Sequence, residues 1–112
     1  DTHCDTPMFF HQDVEFLTRD PRIKVDLHKM TEGHLDAVTM VCYMPQVHPD
    51  IESPKQYADY IFDEITRFVD KMPDYLAFAR TPKEILRNKQ VGKKSIILGI
   101  ENGLVPDLLR VP

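Results

Sequence analysis

The sequence predicts an α/β fold in which parallel β-strands alternate with helices. Two runs, at residues 38–44 and 95–100, have the continuous hydrophobicity of strands that are covered on both faces. The segment between these runs carries start signals for two helices. Strands that are apolar throughout and separated by helices are typical of a parallel sheet built from right-handed βα crossovers.

The first third of the chain has weaker signals. Residues 1–7 predict the end of a strand that breaks into a loop, because Pro7 stops regular pairing. Residues 8–24 lack sustained periodicity and predict a long loop with one short helix. Residues 25–27 are expected to be short and extended, and residues 29–33 to form a helical turn that Gly33 closes.

The long helix is the clearest element. The preceding strand ends at Pro45, and Ser53 is then a good N-cap, with Pro54 at the first helical position. Apolar residues recur at helical spacing until Pro73 stops the pattern. This predicted core-facing stripe consists of Tyr57, Ile61, Ile65, Phe68 and Met72.

The last third repeats the alternation of strand and helix. Residues 75–80 predict a short strand, and Thr81 with Glu84 forms a capping box that starts a helix to about Lys89. Gly92 ends that helix. Residues 95–101 predict another buried strand, which the Asn-Gly pair at 102–103 breaks.

Length and charge restrict the possible classes of protein. With 112 residues and a net charge of −4, residues 1–112 are expected to form a single partial domain. A complete (β/α)8 barrel needs about 250 residues. Mild acidity argues against a nucleic-acid partner, and no apolar run is long enough for a transmembrane helix. Because both ends interrupt apparent elements, a partial chain is expected; the sequence leaves the compartment open.

Metal-ligating residue types stand at the ends of two predicted strands. His3 and Asp5 are two positions apart, so in an extended segment both project to one side while Cys4 projects to the other. Glu101 ends the last strand, and carboxyl ends of parallel strands meet at one edge of a sheet. Imidazole with carboxylates suits zinc or a similar divalent ion. The alternatives are a histidine hydrogen-bonded to a nearby acid and a salt-bridged glutamate.

The other chemically reactive residues favour structural roles. Cys4 is interpreted as a free buried thiol rather than a ligand or nucleophile, and a disulfide between Cys4 and Cys42 is the less favoured alternative to free thiols. The remaining histidines are expected to be exposed in loops or turns. They are His11, His28, His34 and His48.

The opening residues Asp-Thr-His-Cys-Asp-Thr-Pro (1–7) resemble the first motif of the membrane (renal) dipeptidase family, zinc metallopeptidases of the amidohydrolase superfamily. Residues 25–27, 32–33 and 43–45 resemble that family's second strand region, and residues 97–103 its glutamate motif. The similarity extends in order from Asp1 to about Gly103 and identifies the chain with the amino-terminal portion. Cys4 is a departure, since asparagine is common at this position in the family.

The resemblance implies the first part of a (β/α)8 barrel with two zinc ions at its carboxyl-terminal face. His3 and Asp5 would bind one ion and Glu101 would bridge both, so that a metal-bound hydroxide attacks the peptide bond of a dipeptide. The family's remaining ligands and proton-handling residues lie beyond this chain. No catalytic residue is therefore expected within it, and the chain alone is expected to be inactive.

Two further hypotheses remain open. The chain could be a non-catalytic, truncated piece whose exposed strand edges cause self-association or a homodimer. It could also belong to another amidohydrolase, such as a deaminase or a dihydroorotase-like enzyme. Those families usually have two histidines in the first motif, and Asp5 argues against them.

Overall fold

The computed structural model describes residues 1–12, 14–17, 19–43 and 54–101, with the side chains of 11, 12, 54, 55 and 101 left outside the description. The strands β1, β2 and β3 alternate with α2 and α3, as the sequence predicts. In chain order the elements are a 3₁₀ helix at Thr6–Gln12, α1 at Leu27–Glu32, β1 at Ala37–Tyr43, α2 at Pro54–Lys71, β2 at Leu76–Phe78, α3 at Pro82–Gln90 and β3 at Lys94–Glu101. No helix of these ranges is both long and apolar enough to cross a membrane.

The three strands form one parallel sheet in the order β1-β3-β2. The β1–β3 register pairs Ala37 with Ser95 and continues without interruption to Tyr43 and Glu101. Strand β2 is short and pairs only with residues 94–96 of β3. The predicted parallel α/β arrangement is therefore confirmed.

The first residues of the chain run beside β1. Cys4 forms an isolated parallel bridge with Met40, and the Val41 N–H donates to the Cys4 carbonyl at 2.9 Å. The predicted strand end is thus reduced to a single bridge. Pro7 lies inside the 3₁₀ helix that follows.

The core lies between one face of the sheet and α2. Ile61 and Ile65 of the predicted stripe are buried there. Phe68 stacks on Phe10 of the 3₁₀ helix, with ring centroids 4.1 Å apart, and meets Phe16 edge-on at 5.6 Å. The prediction of α2 as a core-packing helix is confirmed, whereas its expected cap Ser53 lies outside the described residues.

The prediction of an extended segment at residues 25–27 is wrong. Leu27 already begins α1, and Asp26 is its N-cap, with the carboxylate accepting from the Lys29 N–H at 2.7 Å. The cap residue itself has extended backbone angles. A capping carboxylate, which satisfies a free helical N–H, outweighs the weak strand propensity of so short a run. Gly33 closes the helix as predicted.

The carboxyl-terminal half of β3 is less buried than the sequence predicts. Ile96 is buried, but Leu98 is 44% and Ile100 is 37% exposed. The reason lies in the sheet, because β2 ends at Phe78, opposite Ile96. The predicted N-cap of α3 is confirmed, since the Glu84 N–H donates to Thr81 Oγ1 at 3.2 Å. The reciprocal bond of the predicted capping box is displaced by one residue, because the Glu84 carboxylate accepts from the Arg80 N–H.

Candidate metal centre

His3 and Asp5 lie together on one side of the first segment. His3 Nε2 is 3.1 Å from Asp5 Oδ1, and the two side chains are 48% and 53% exposed. Cys4, between them, is buried in the core on the other side. The structure therefore brings the two residues together as strand alternation predicts, and their contact is the hydrogen bond between histidine and acid that is the alternative to a metal site.

Local contacts fix this arrangement. The Cys4 Sγ donates to Thr6 Oγ1 at 3.1 Å, and both side chains are buried. The Asp5 carbonyl accepts from the Met8 N–H at 3.0 Å and so opens the 3₁₀ helix. Because the residues on both sides of Asp5 are anchored in the core, its carboxylate stays at the surface.

Strand β1 supports the segment that carries the pair. The Thr39 N–H donates to the Asp1 carbonyl at 3.0 Å, and the Val41 N–H donates to the Cys4 carbonyl. These two hydrogen bonds lie on either side of His3 along the chain. The position of the imidazole relative to the sheet thus depends on the backbone of β1.

Glu101 occupies the last position of β3, in register with Tyr43 of β1. If the Cys4–Met40 register is extended by one residue, Asp5 lies level with Val41 and Gly99, two residues before Glu101. Strand spacing and rise then separate the backbones of Asp5 and Glu101 by about 12 Å. The structure brings His3 and Asp5 into contact and places the Glu101 backbone at the same end of the sheet.

The His3–Asp5 pair has donor chemistry that fits a divalent ion. Two ligands bound to zinc at about 2.1 Å with tetrahedral angles lie about 3.4 Å apart. The observed separation of 3.1 Å is close to that value, so an ion can be bound with a small outward shift of either side chain. Among the side chains that the structure describes, no group of three or more His, Cys, Asp and Glu residues could hold a metal, and the Glu101 side chain is not among them.

Both cysteines are buried thiols that are not joined by a disulfide, as the sequence predicts. Burial raises the pKa of the Cys42 thiol to about 11, so at neutral pH it stays protonated. A buried protonated thiol is neither a good ligand nor a nucleophile. Both cysteines belong to the core cluster, on the face away from the His3–Asp5 pair.

Of the other histidines, the side chains of His28 and His34 are described, and neither forms a metal-binding group with the His3–Asp5 pair. The prediction of a loop or turn is wrong for His28, which lies in α1 and pairs through Nε2 with Glu32 Oε1 at 3.3 Å. His34 is exposed just after α1, with a φ of 54°. The side chains of His11 and His48 lie outside the described part of the chain.

The close packing of β1 against Gly99 was not predicted from the sequence. A Cβ at this position would lie 2.9 Å from Thr39 Cγ2 and 3.7 Å from Val41 Cγ2. Glycine inside an apolar strand often marks a close approach of a neighbouring group, and this signal was available in the sequence.

Comparisons with known proteins relate this geometry to one family. The probable dipeptidase PvdM from Pseudomonas aeruginosa has a similar structure, with a TM-score of 0.73 and 19% identity over 89% of this chain and 27% of that one. A structure described as the dipeptidase AC, a metallo peptidase of family M19, gives a TM-score of 0.74 and 19% identity over 90% of this chain and 34% of its own.

The chain therefore spans between about a quarter and a third of the length of these solved structures. A search of curated proteins found no match. The model of the membrane dipeptidase family matches residues 1–107. This match covers nearly the whole chain, which belongs to the membrane dipeptidase family, peptidase family M19.

Proposed function

We propose that this chain forms the amino-terminal part of a (β/α)8 barrel in a zinc-dependent dipeptidase. Membership of the family and the likeness of the fold to two dipeptidases support this proposal. The sheet is compatible with it, because the first segment, β1 and β3 lie side by side and run in parallel, as neighbouring strands of such a barrel do. Strand β2, which lies between β1 and β3 in the chain, departs from a run of successive neighbours, since it pairs on the far side of β3.

His3 and Asp5 are proposed to bind one zinc ion, and Glu101 to bridge it to a second. The observation that carries this assignment is the 3.1 Å approach of an imidazole nitrogen and a carboxylate oxygen on an exposed side of the sheet. Bound zinc would polarise the peptide carbonyl of a dipeptide and lower the pKa of water. Asp5 and Glu101 contribute negative charge, which neutralises the cation.

The role of this chain's own residues is to hold and orient the metal. The hydrogen bonds from Thr39 and Val41 fix the segment that carries His3 and Asp5. No residue of this chain is assigned to move a proton to the leaving amine, since the chain spans only 27% and 34% of the solved structures that it resembles. We therefore propose that the chain binds zinc but does not hydrolyse dipeptides alone.

Zinc binding to the full chain tests the ligand assignment. Wild type is expected to bind zinc, and His3→Ala to weaken binding at least about tenfold, because one of few ligands is lost. The matched control is His28→Ala, since His28 is similarly exposed and is also paired with a carboxylate, that of Glu32. An equal loss in both variants, or no loss in His3→Ala, would refute the assignment.

A hydrolysis assay tests whether the chain is incomplete. Glycyl-D-alanine is incubated with the full chain and added zinc, and the released amino acids are measured. No hydrolysis above the zinc-only control is expected. Turnover that disappears in His3→Ala would contradict the proposed inactivity while supporting the dipeptidase assignment.

A second candidate function is self-association, which one observation favours. Beyond Ile96, the described residues place no strand on the β2 side of β3, and Leu98 and Ile100 of this part of β3 are exposed on one face of the sheet. An exposed apolar strand edge is a template for pairing with another chain. We propose that a second copy pairs with this edge to give a homodimer.

Light scattering after size exclusion tests this candidate. Leu98→Lys is expected to shift a dimer to monomer, because a charge on the edge disfavours pairing. Leu86→Lys, on the exposed side of α3, is the matched control and should leave the mass unchanged. A monomeric wild type would overturn self-association without affecting the zinc proposal.

A further inference from the structure

Gly99 lies between the two halves of the proposed metal centre. On the β3 side it precedes Glu101 by two residues, and alternation puts positions 99 and 101 on the same face. On the β1 side it pairs in register with Val41, whose neighbour across the other edge of β1 is the segment that carries His3 and Asp5. A displacement at Gly99 can therefore reach both sets of ligands.

The space above Gly99 is already used by β1. A Cβ built there would meet Thr39 Cγ2 at 2.9 Å, a distance that non-bonded carbon atoms do not tolerate. Thr39 is β-branched, so its χ1 has few alternatives, and Val41 Cγ2 is also close at 3.7 Å. The uninterrupted seven-pair register between β1 and β3 leaves no bulge that could absorb the displacement.

The same two residues of β1 hold the histidine segment. The N–H groups of Thr39 and Val41 donate to the carbonyls of Asp1 and Cys4. A side chain at Gly99 would push on the side chain of Thr39 and, through the backbone of β1, strain these two hydrogen bonds. The absence of a Cβ thus maintains the distance between the His3–Asp5 pair and the end of β3.

We propose that Gly99 is a positioning residue of the metal centre. Because Gly99 has no side chain, the methyl group of Thr39 can occupy the space above it. This close packing of β1 and β3 keeps the His3–Asp5 pair and Glu101 at a constant separation. This inference rests on the proposed function, because it concerns the same zinc ligands. It adds a residue that does not touch the metal and acts through Thr39.

The experiment is a double-mutant cycle on the full chain. Zinc affinity is measured by competition with a chelator for wild type, Gly99→Ala, Thr39→Ser and the double variant. Gly99→Ala is expected to weaken binding by about 10- to 100-fold, the range typical of residues that orient metal ligands. Thr39→Ser removes only the methyl group that clashes, so the double variant should recover to within about threefold of wild type.

Amide hydrogen exchange gives a second readout that does not need zinc. In Gly99→Ala the amides of Thr39 and Val41 should exchange at least about tenfold faster, and in the double variant they should regain protection. Gly33→Ala is the control for a general effect of glycine replacement, since it lies at the end of α1 and its Cβ would meet the Lys29 carbonyl at 3.2 Å. It should leave zinc affinity unchanged.

The possible outcomes separate the two proposals. The positioning role is overturned if Gly99→Ala binds zinc as tightly as wild type does. It is also overturned if Gly99→Ala loses affinity and the double variant with Thr39→Ser does not regain it. Equal exchange of the Thr39 and Val41 amides in wild type and Gly99→Ala overturns it as well. If wild type binds no zinc through His3, the proposed function fails, and the role of Gly99 in a metal centre fails with it. Exchange of the Thr39 and Val41 amides in Gly99→Ala then still shows whether Gly99 sets the spacing of β1 and β3.

Discussion

Replacing Asp26 by alanine should destabilise the chain strongly, because its buried carboxylate caps α1 and holds a second backbone N–H. The carboxylate is buried and accepts from the Lys29 N–H at 2.7 Å and from the Asp20 N–H at 3.0 Å. The Lys29 Nζ lies 3.3 Å from it. Desolvation alone would raise the pKa of Asp26, but these contacts outweigh it and the pKa lies below its ordinary value.

The magnitude follows from the groups that Asp26→Ala leaves without a partner. Loss of the N-cap of α1 costs about 1 kcal/mol. A buried Asp20 N–H without an acceptor costs about 2 kcal/mol more. The Lys29 ammonium is partly exposed and keeps the carbonyls of Asp20 and Ile23, so its contribution is small. The expected total is about 3 kcal/mol, or a fall in Tm of about 12 °C for a chain of this size.

Urea denaturation and thermal melts of three variants test this reasoning. Thr81→Ala removes an exposed N-cap with one hydrogen bond, from Glu84, and should cost only about 1 kcal/mol. Asp26→Asn keeps one acceptor oxygen, so its loss in unfolding free energy should lie between those of Thr81→Ala and Asp26→Ala. If Asp26→Ala destabilises no more than Thr81→Ala, the assigned role of the buried network is wrong.

Three further predictions concern pH, thiol reactivity and the core. Hydrogen bonding to Arg22 holds the pKa of Asp20 below its unfolded value. The contribution of Asp20 to stability is therefore complete above about pH 4 and is lost as the pH falls through the folded pKa. A urea midpoint that does not decrease when the pH is lowered from 5 to 2.5 would contradict this. Cys42, with its pKa raised to about 11 by burial, should resist a thiol reagent at pH 8 until urea unfolds the chain. Ile65→Ala should cost about 3 kcal/mol in the same denaturation assay, against less than about 0.5 for the exposed Leu86→Ala.

The sequence was sufficient wherever one local signal determined the structure. Continuous hydrophobicity predicted β1 and β3, and the capping box at Thr81 predicted the start of α3. Alternation also predicted that His3 and Asp5 share a side, because this depends only on extended backbone. The family resemblance was confirmed over residues 1–107.

Features of the structure that depend on residues outside the local segment could not be predicted from the sequence. The cap at Asp26 is stabilised by the Asp20 N–H, which the loop brings into the core, and this contact cannot be derived from residues 25–27 alone. The exposure of Leu98 depends on where β2 ends, and the crowding at Gly99 depends on Thr39 across the sheet. Each of these features is set by strand order and register rather than by local composition.

The two halves of the proposed metal centre are held to the sheet with unequal strength. Glu101 ends a strand paired with β1 over seven residues, whereas His3 and Asp5 lie on a segment joined to β1 by one bridge and a few hydrogen bonds. Because this segment has fewer backbone hydrogen bonds to the sheet than β3, its local opening should cost less free energy than that of β3, and zinc bound to the pair would oppose this opening. A ligand that binds only the closed form has its apparent affinity reduced according to the fraction of molecules in that form. The zinc affinity of the chain therefore reports ligand geometry and segment order together, and exchange of the Thr39 and Val41 amides separates the two.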